Sequence, residues 1–240
     1  MHTRLALLFA LLCFSFHASV KSSDSNTEIE KKALSPLKSY VGEWRGVGAV
    51  KGDETKGAWT EEQDWAWDFK GGHAALVYAA ETGRFFISGR MQPGTTPGEF
   101  HFVGVLPGGK TQEEFSGAVN KDNDLVLNAA KAPAAGRPGR ITFSLVAKGK
   151  RMVAEYQRNV RKDTFAPIAE VGLTLKGSGF GKDVDMRECV VTGGMGKIQV
   201  QYKGQTYYVC CGGCRDEFLA DPEKEIAAWK KRKEEEKKEK

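Results

Sequence analysis

Residues 59–69 read WTEEQDWAWDF (Trp59 to Phe69), and the fold turns on them. Trp65 and Trp67 fall on one face of an alternating pattern whose period is two, that of a strand rather than a helix. Gly71-Gly72 then turns the chain, Ala74 to Glu81 runs back, and Gly83 turns it again. Upstream, Glu43 to Val50 is a strand with two glycines. Downstream, strands are expected at 85–92, 100–106, 112–119, 125–130, 140–146, 152–159 and 171–176, split by Pro- and Gly-rich turns. Short strands with turn signals every eight to twelve residues indicate an all-β sandwich or barrel. The shortness of the turns favours an up-and-down meander, and closing such a meander removes its exposed edges.

Tyr40-Val41-Gly42-Glu43-Trp44-Arg45-Gly46-Val47-Gly48 resembles the opening strand of lipocalin-like ten-stranded barrels, the nitrobindin type among them. The resemblance implies a barrel over residues 34–176. Trp44 would plug one end, while Gly46 and Gly48 would let the strand coil and its neighbour approach. Nitrobindin-type barrels hold haem through a histidine late in the domain. This chain has none after His101, so haem is not expected. His73, after a Gly-Gly turn, and His101, within a strand, read as structural or surface residues. The carboxylate pairs Glu61-Glu62 and Glu113-Glu114 read as solvated strand ends, because adjacent strand residues face opposite sides.

The second informative stretch runs from Cys189 to Trp229 and holds four of the chain's five cysteines. Cys189 precedes a hairpin in which Ile198, Val200 and Tyr202 alternate with polar residues, Lys203-Gly204-Gln205 turns, and Tyr207 and Val209 return. Cys210 closes the return strand. Cys211-Gly212-Gly213-Cys214 then opens a short helix bearing Phe218 and Leu219. Thiols therefore converge where a hairpin gives way to a helix N-terminus, which lowers thiol pKa. Soft sulfur donors suit Cu(I) or Zn(II). Disulfides compete with this reading in an exported protein, with Cys189–Cys214 or Cys189–Cys211 as credible bridges.

This segment resembles the YHS/TRASH family of small cysteine-rich modules. The matching residues are Cys189 with Thr192-Gly193, Tyr202-Lys203-Gly204, Tyr207 to Cys214, Phe218, and Asp221 to Lys224. The resemblance implies heavy-metal binding or trafficking, with Cys189, Cys210, Cys211 and Cys214 as ligands.

Residues 1–22 read as a secretory signal peptide: a basic start at Arg4, the apolar run Leu5 to Phe16, then small residues. Cys13 lies in that run and is expected to be discarded. The expected location is therefore secreted or periplasmic. Residues 23–33 read as polar and flexible, 177–185 as a glycine-rich linker, and 230–240 as a charged tail, frayed or solvated. Asp221 reads as an N-cap with Pro222 behind it, and Ile226 and Trp229 as the residues pinning that helix to the hairpin. A formal net charge of +5 is too weak to argue for nucleic acid. Past the leader, no segment is apolar enough to span a membrane, and no G-x-S-x-G elbow or phosphate loop is present.

The expected protein is mainly β, not an enzyme: a barrel followed by a small α+β cysteine module from 186 to 229 that sequesters or delivers a metal ion. The alternative is a small apolar ligand held in the barrel, the module being structural. A redox role for the Cys211–Cys214 C-x-x-C motif ranks third, because the surrounding βαβ pattern is missing.

Overall fold

The computed structural model describes residues 20–52, 57–178 and 187–238, with side chains from Ser25 onward. Most of the expected leader and linker lie outside the described residues.

Ten antiparallel strands close into a barrel. They are β1 (Gly42–Val50), β2 (Trp59–Asp68), β3 (Ala75–Ala79), β4 (Ser88–Pro93), β5 (Glu99–Val105), β6 (Gln112–Val119), β7 (Leu125–Ala129), β8 (Arg140–Val146), β9 (Arg151–Arg161) and β10 (Thr164–Leu175). Each strand pairs with its neighbour in sequence, and β1 meets β10 from Trp44↔Leu175 to Val50↔Ala169. The expected meander is therefore the observed one. At the closing seam a Cβ on Gly46 would overlap the Gly172 carbonyl. Only glycine lets the first and last strands approach this closely.

The alternation that marks β2 as a strand also fills the barrel. Trp65 packs against Tyr78, Phe143 and Phe102, with ring centroids 5.0, 5.5 and 6.4 Å away. Phe86 meets Phe115 and Phe102 edge-on at 5.6 and 5.8 Å. Such edge-to-face pairs add to area burial through the ring quadrupoles. Trp44 is fully buried and donates from Nε1 to the Tyr40 carbonyl at 2.9 Å. Tyr40 ends a short 3-10 turn, Ser35–Tyr40; its hydroxyl donates to the Phe143 carbonyl at 3.0 Å and accepts from the Leu125 amide at 3.2 Å.

Two expectations need correction. Glu61 is not solvated. It shares the inward face of β2 with Trp65 and Trp67, at 1% exposure. Trp59 Nε1 donates to one carboxylate oxygen at 2.7 Å, and Gln63 Nε2 to the other at 2.6 Å. A buried charge survives only when hydrogen-bonded in this way. Nor is the polar stretch 23–33 without regular structure: helix α1 runs Val20–Leu34. Its Glu30 carboxylate accepts from the Ala74 amide at 2.6 Å and lies 2.9 Å from His73 Nδ1, and Leu34 is buried. Tertiary contacts, rather than helix propensity, hold such a polar segment.

Beyond the barrel, β11 (Arg187–Glu188) pairs with β12 (Met195–Gly196), and β13 (Ile198–Tyr202) pairs with β14 (Gln205–Val209). The hairpin turn places Lys203 and Gly204 at positive φ, the two-residue turn that suits strand twist. Helices α2 (Gly212–Ala220) and α3 (Pro222–Lys238) follow. One hydrophobic core runs from the barrel into this segment. No described helix is long and apolar enough to cross a membrane.

Candidate metal centre

The turn between β11 and β12 presents Cys189. Its amide donates to the Gly194 carbonyl at 2.7 Å, and the Gly193 amide donates back to the Cys189 carbonyl at 2.8 Å. The Val190 amide reaches the Tyr208 carbonyl at 2.8 Å, which fastens this turn to β14. Cys210 follows β14 directly, and Cys214 sits in the first turn of α2. The sulfurs of Cys189, Cys210 and Cys214 all lie within 4.8 Å of one another. Cys210 Sγ is 3.4 Å from Cys214 Sγ, and the Thr192 hydroxyl lies 3.6 and 3.8 Å from those two sulfurs. All four cysteines are buried free thiols.

Cys211 stands apart from that trio. Its sulfur is 3.9 Å from Cys210 Sγ and accepts the backbone N–H of Trp67, at the end of β2, at 3.4 Å. The barrel thus touches the cluster through a main-chain donor. Behind this contact, a Cβ on Gly213 would overlap the Trp67 carbonyl. Glycine there lets α2 lie directly on β2.

Four sulfurs in contact divide their protons unevenly. Donation from Cys210 and Cys214 pulls the Cys211 thiol down to about 3, against the opposing effect of burial. Burial pushes Cys189 up, but hydrogen bonds from Cys210, Cys214 and Thr192 outweigh it and hold its thiol well below the ordinary range. Cys210, which donates to Cys189 and Cys211, is raised. Burial and the same donor role raise Cys214. Thiolate is the form that ligates metal. Partly buried Lys197, its ammonium disfavoured by burial, sits near Glu43, Cys210 and Asp64 and adds positive potential beside the sulfurs.

The donor set is three sulfurs drawn from a turn, a strand end and a helix start. It fits a soft ion: three thiolates suit Cu(I), and a fourth donor would suit Zn(II). Both histidines singled out in the sequence are elsewhere, His73 beside Glu30 and His101 3.7 Å from Glu114.

Sequence reasoning missed Arg232. Residues 230–238 of the tail expected to be frayed or solvated continue α3, and Arg232 Nη2 donates to the Val190 carbonyl at 3.0 Å, with the Cys189 carbonyl and Glu188 Oε1 each at 3.5 Å. Arg232 lies three residues after the packed Trp229, on the same helical face, and that spacing was the available signal.

Fold and centre together define a closed ten-stranded antiparallel barrel carrying a buried three-sulfur cluster. No family model matches the chain, and no curated protein matches it. Among solved structures it is similar to Rv2717c from M. tuberculosis, at 19% identity over 60% of this chain and 97% of that one, with a TM-score of 0.39.

Proposed function

We propose that the protein holds a soft metal ion as cargo at Cys189, Cys210 and Cys214, outside the cytoplasm, and sequesters or delivers it without chemical turnover. The observation that carries this reading is the convergence of three buried sulfurs within 4.8 Å. The resemblance of residues 189–224 to YHS/TRASH modules supports it, and the apolar leader supports export. Cu(I) suits three thiolates in a site shielded from water, where no fourth ligand is required. The barrel serves as the scaffold, since its interior is occupied by its own aromatic side chains.

Metal analysis and thiol titration of anaerobically purified protein test the proposal. One ion per chain is expected, with thiols that resist alkylation until a chelator strips the metal. Disulfides and no metal would defeat it.

A further inference from the structure

Cys189, Cys210 and Cys214 are the three sulfurs that come within 4.8 Å of one another. Cys211 lies outside that set, with its sulfur held by the Trp67 amide. Among the described residues, the hydrogen-bond partners of the three sulfurs are Thr192, Cys211 and one another, and none of these is a cation. The flanking Val190, Val191 and Val209 are buried and apolar, as is Phe218 one turn beyond Cys214. The positive charges nearby are already answered. Lys197 lies near Glu43 and Asp64 as well as Cys210, and Arg232 reaches backbone carbonyls and Glu188. Three thiolates enclosed here carry three negative charges. A monovalent ion leaves two of them uncompensated and a divalent ion one, whereas a trivalent centre leaves none. Enclosing net charge without partners is costly. Separation points the same way. At a metal–sulfur distance of about 2.3 Å, planar trigonal ligation holds sulfurs about 4.0 Å apart, and a pyramidal centre with angles near about 95° holds them about 3.4 Å apart. Cys210 and Cys214 are 3.4 Å apart.

We infer that the centre takes a trivalent thiophilic metalloid, arsenic(III) or antimony(III), and holds it through Cys189, Cys210 and Cys214 as a neutral pyramidal tris-thiolate. This rests on the soft-ion reading above and names the class of cargo. Arsenite enters as uncharged arsenous acid. Each of the three thiols displaces one hydroxide: three arsenic–oxygen and three sulfur–hydrogen bonds break, three arsenic–sulfur bonds form, and three waters leave. Where a cysteine starts as a thiolate, the departing hydroxide takes its proton from solvent. No electron moves. The product carries no net charge, so the apolar surroundings that disfavour a charged cluster accept it, and soft sulfur donors match the soft centre. Cys211 keeps its hydrogen bond from Trp67 and is not a ligand.

The test titrates full-length reduced protein with sodium arsenite and, separately, with Cu(I) supplied as a chelator complex. One arsenic per chain is expected, with the count of titratable thiols falling by three. X-ray absorption at the arsenic edge should show three sulfur neighbours and no oxygen. Both readouts use the parent protein and need no variant. Cys189→Ser, Cys210→Ser and Cys214→Ser should each weaken arsenite binding by more than the roughly 10–100-fold that losing a supporting group costs a metal site. Cys211→Ser should bind arsenite with parental affinity. Capture through two sulfurs with oxygen retained would overturn the inference, because any two close thiols do that. So would a loss in Cys211→Ser equal to the losses in the other three. Uptake of Cu(I) without arsenite would overturn it too and leave the soft-ion reading standing. Uptake of neither would sink that reading itself.

Discussion

Arg232 donates to the carbonyl oxygen of Val190 at 3.0 Å, across 42 positions of sequence. Val190 follows Cys189, so a residue near the end of the chain holds the turn that aims one of the three converging sulfurs. Lys233 closes the contact by pairing with Glu188.

Arg232→Ala should therefore loosen the centre without unfolding the barrel. Removing a charged donor from partly buried carbonyls costs about 1–3 kcal/mol. Losing a group that orients a ligand lowers metal affinity by roughly tenfold or more. Arg232→Lys keeps the charge but not the fork, and should fall between the two. Urea unfolding reads the first effect and competition titration against a chelator the second. Parental affinity in the alanine variant would show that the turn holds its own shape.

Gly213 tests the seat of α2 on β2. A Cβ there overlaps the Trp67 carbonyl, whereas a Cβ on neighbouring Gly212 meets nothing within 4 Å. Neither glycine needs a positive φ. Gly213→Ala should destabilise by about 1–3 kcal/mol through overpacking against rigid backbone. Gly212→Ala should be neutral or slightly stabilising. Thermal unfolding separates the pair, and equal melting temperatures would refute the contact.

The barrel was legible because β2 alternates along its length and short turns set off the strands around it. The first half of β10 was not. Pro167 lacks an N–H to donate, and the pairing with β9 shifts register between Pro167 and Ala169. The alternation breaks there, and only the stretch from Val171 read as strand. Glu61 was misread as half of a solvated pair, although it is in phase with Trp65 and Trp67. Convergence of the sulfurs followed from cysteine spacing around a hairpin. The turning of Cys211 toward Trp67 did not, because its partner is a backbone amide on a barrel strand far away in sequence. Helix α1 was hidden for the same reason: its anchors, Ala74 and Glu225, lie in distant elements.

Alkali should open the barrel at the Tyr40 end. Burial raises the Tyr40 hydroxyl to about 12, and Tyr78 and Tyr156 are raised still further by burial. An unfolded tyrosine ionises near 10. The folded state therefore holds protons that the unfolded state gives up, and stability falls as pH rises from about 10 toward 12. Tyr40→Phe should be less stable at neutral pH, having lost its hydrogen bonds, and should show a shallower decline above pH about 10. Urea midpoints measured across that range check both signs, and equal slopes would remove Tyr40 from the account.

The last prediction concerns the ends of the chain. Lys31 on α1 lies 3.5 Å from Glu225 on α3, and both are buried. Lys31 has a second carboxylate, Glu28, at 2.8 Å, whereas Glu225 Oε1 has no hydrogen-bond partner. Burial raises the Glu225 carboxyl, Lys31 and Lys224 oppose that shift, and Glu28 and Glu217 add to it. The two halves of the pair are therefore unequal. Glu225→Gln leaves Lys31 satisfied by Glu28 and removes a poorly solvated charge, so it should be nearly neutral in stability. Lys31→Met strands a buried carboxylate and should cost about 3–5 kcal/mol at neutral pH. A raised folded pKa means that Glu225 favours the fold when protonated and opposes it as pH climbs through that value. The Lys31→Met deficit should then shrink in acid, once Glu225 takes up its proton. Denaturation of both variants at neutral and acidic pH decides the matter, and a deficit that grows in acid would contradict the assignment.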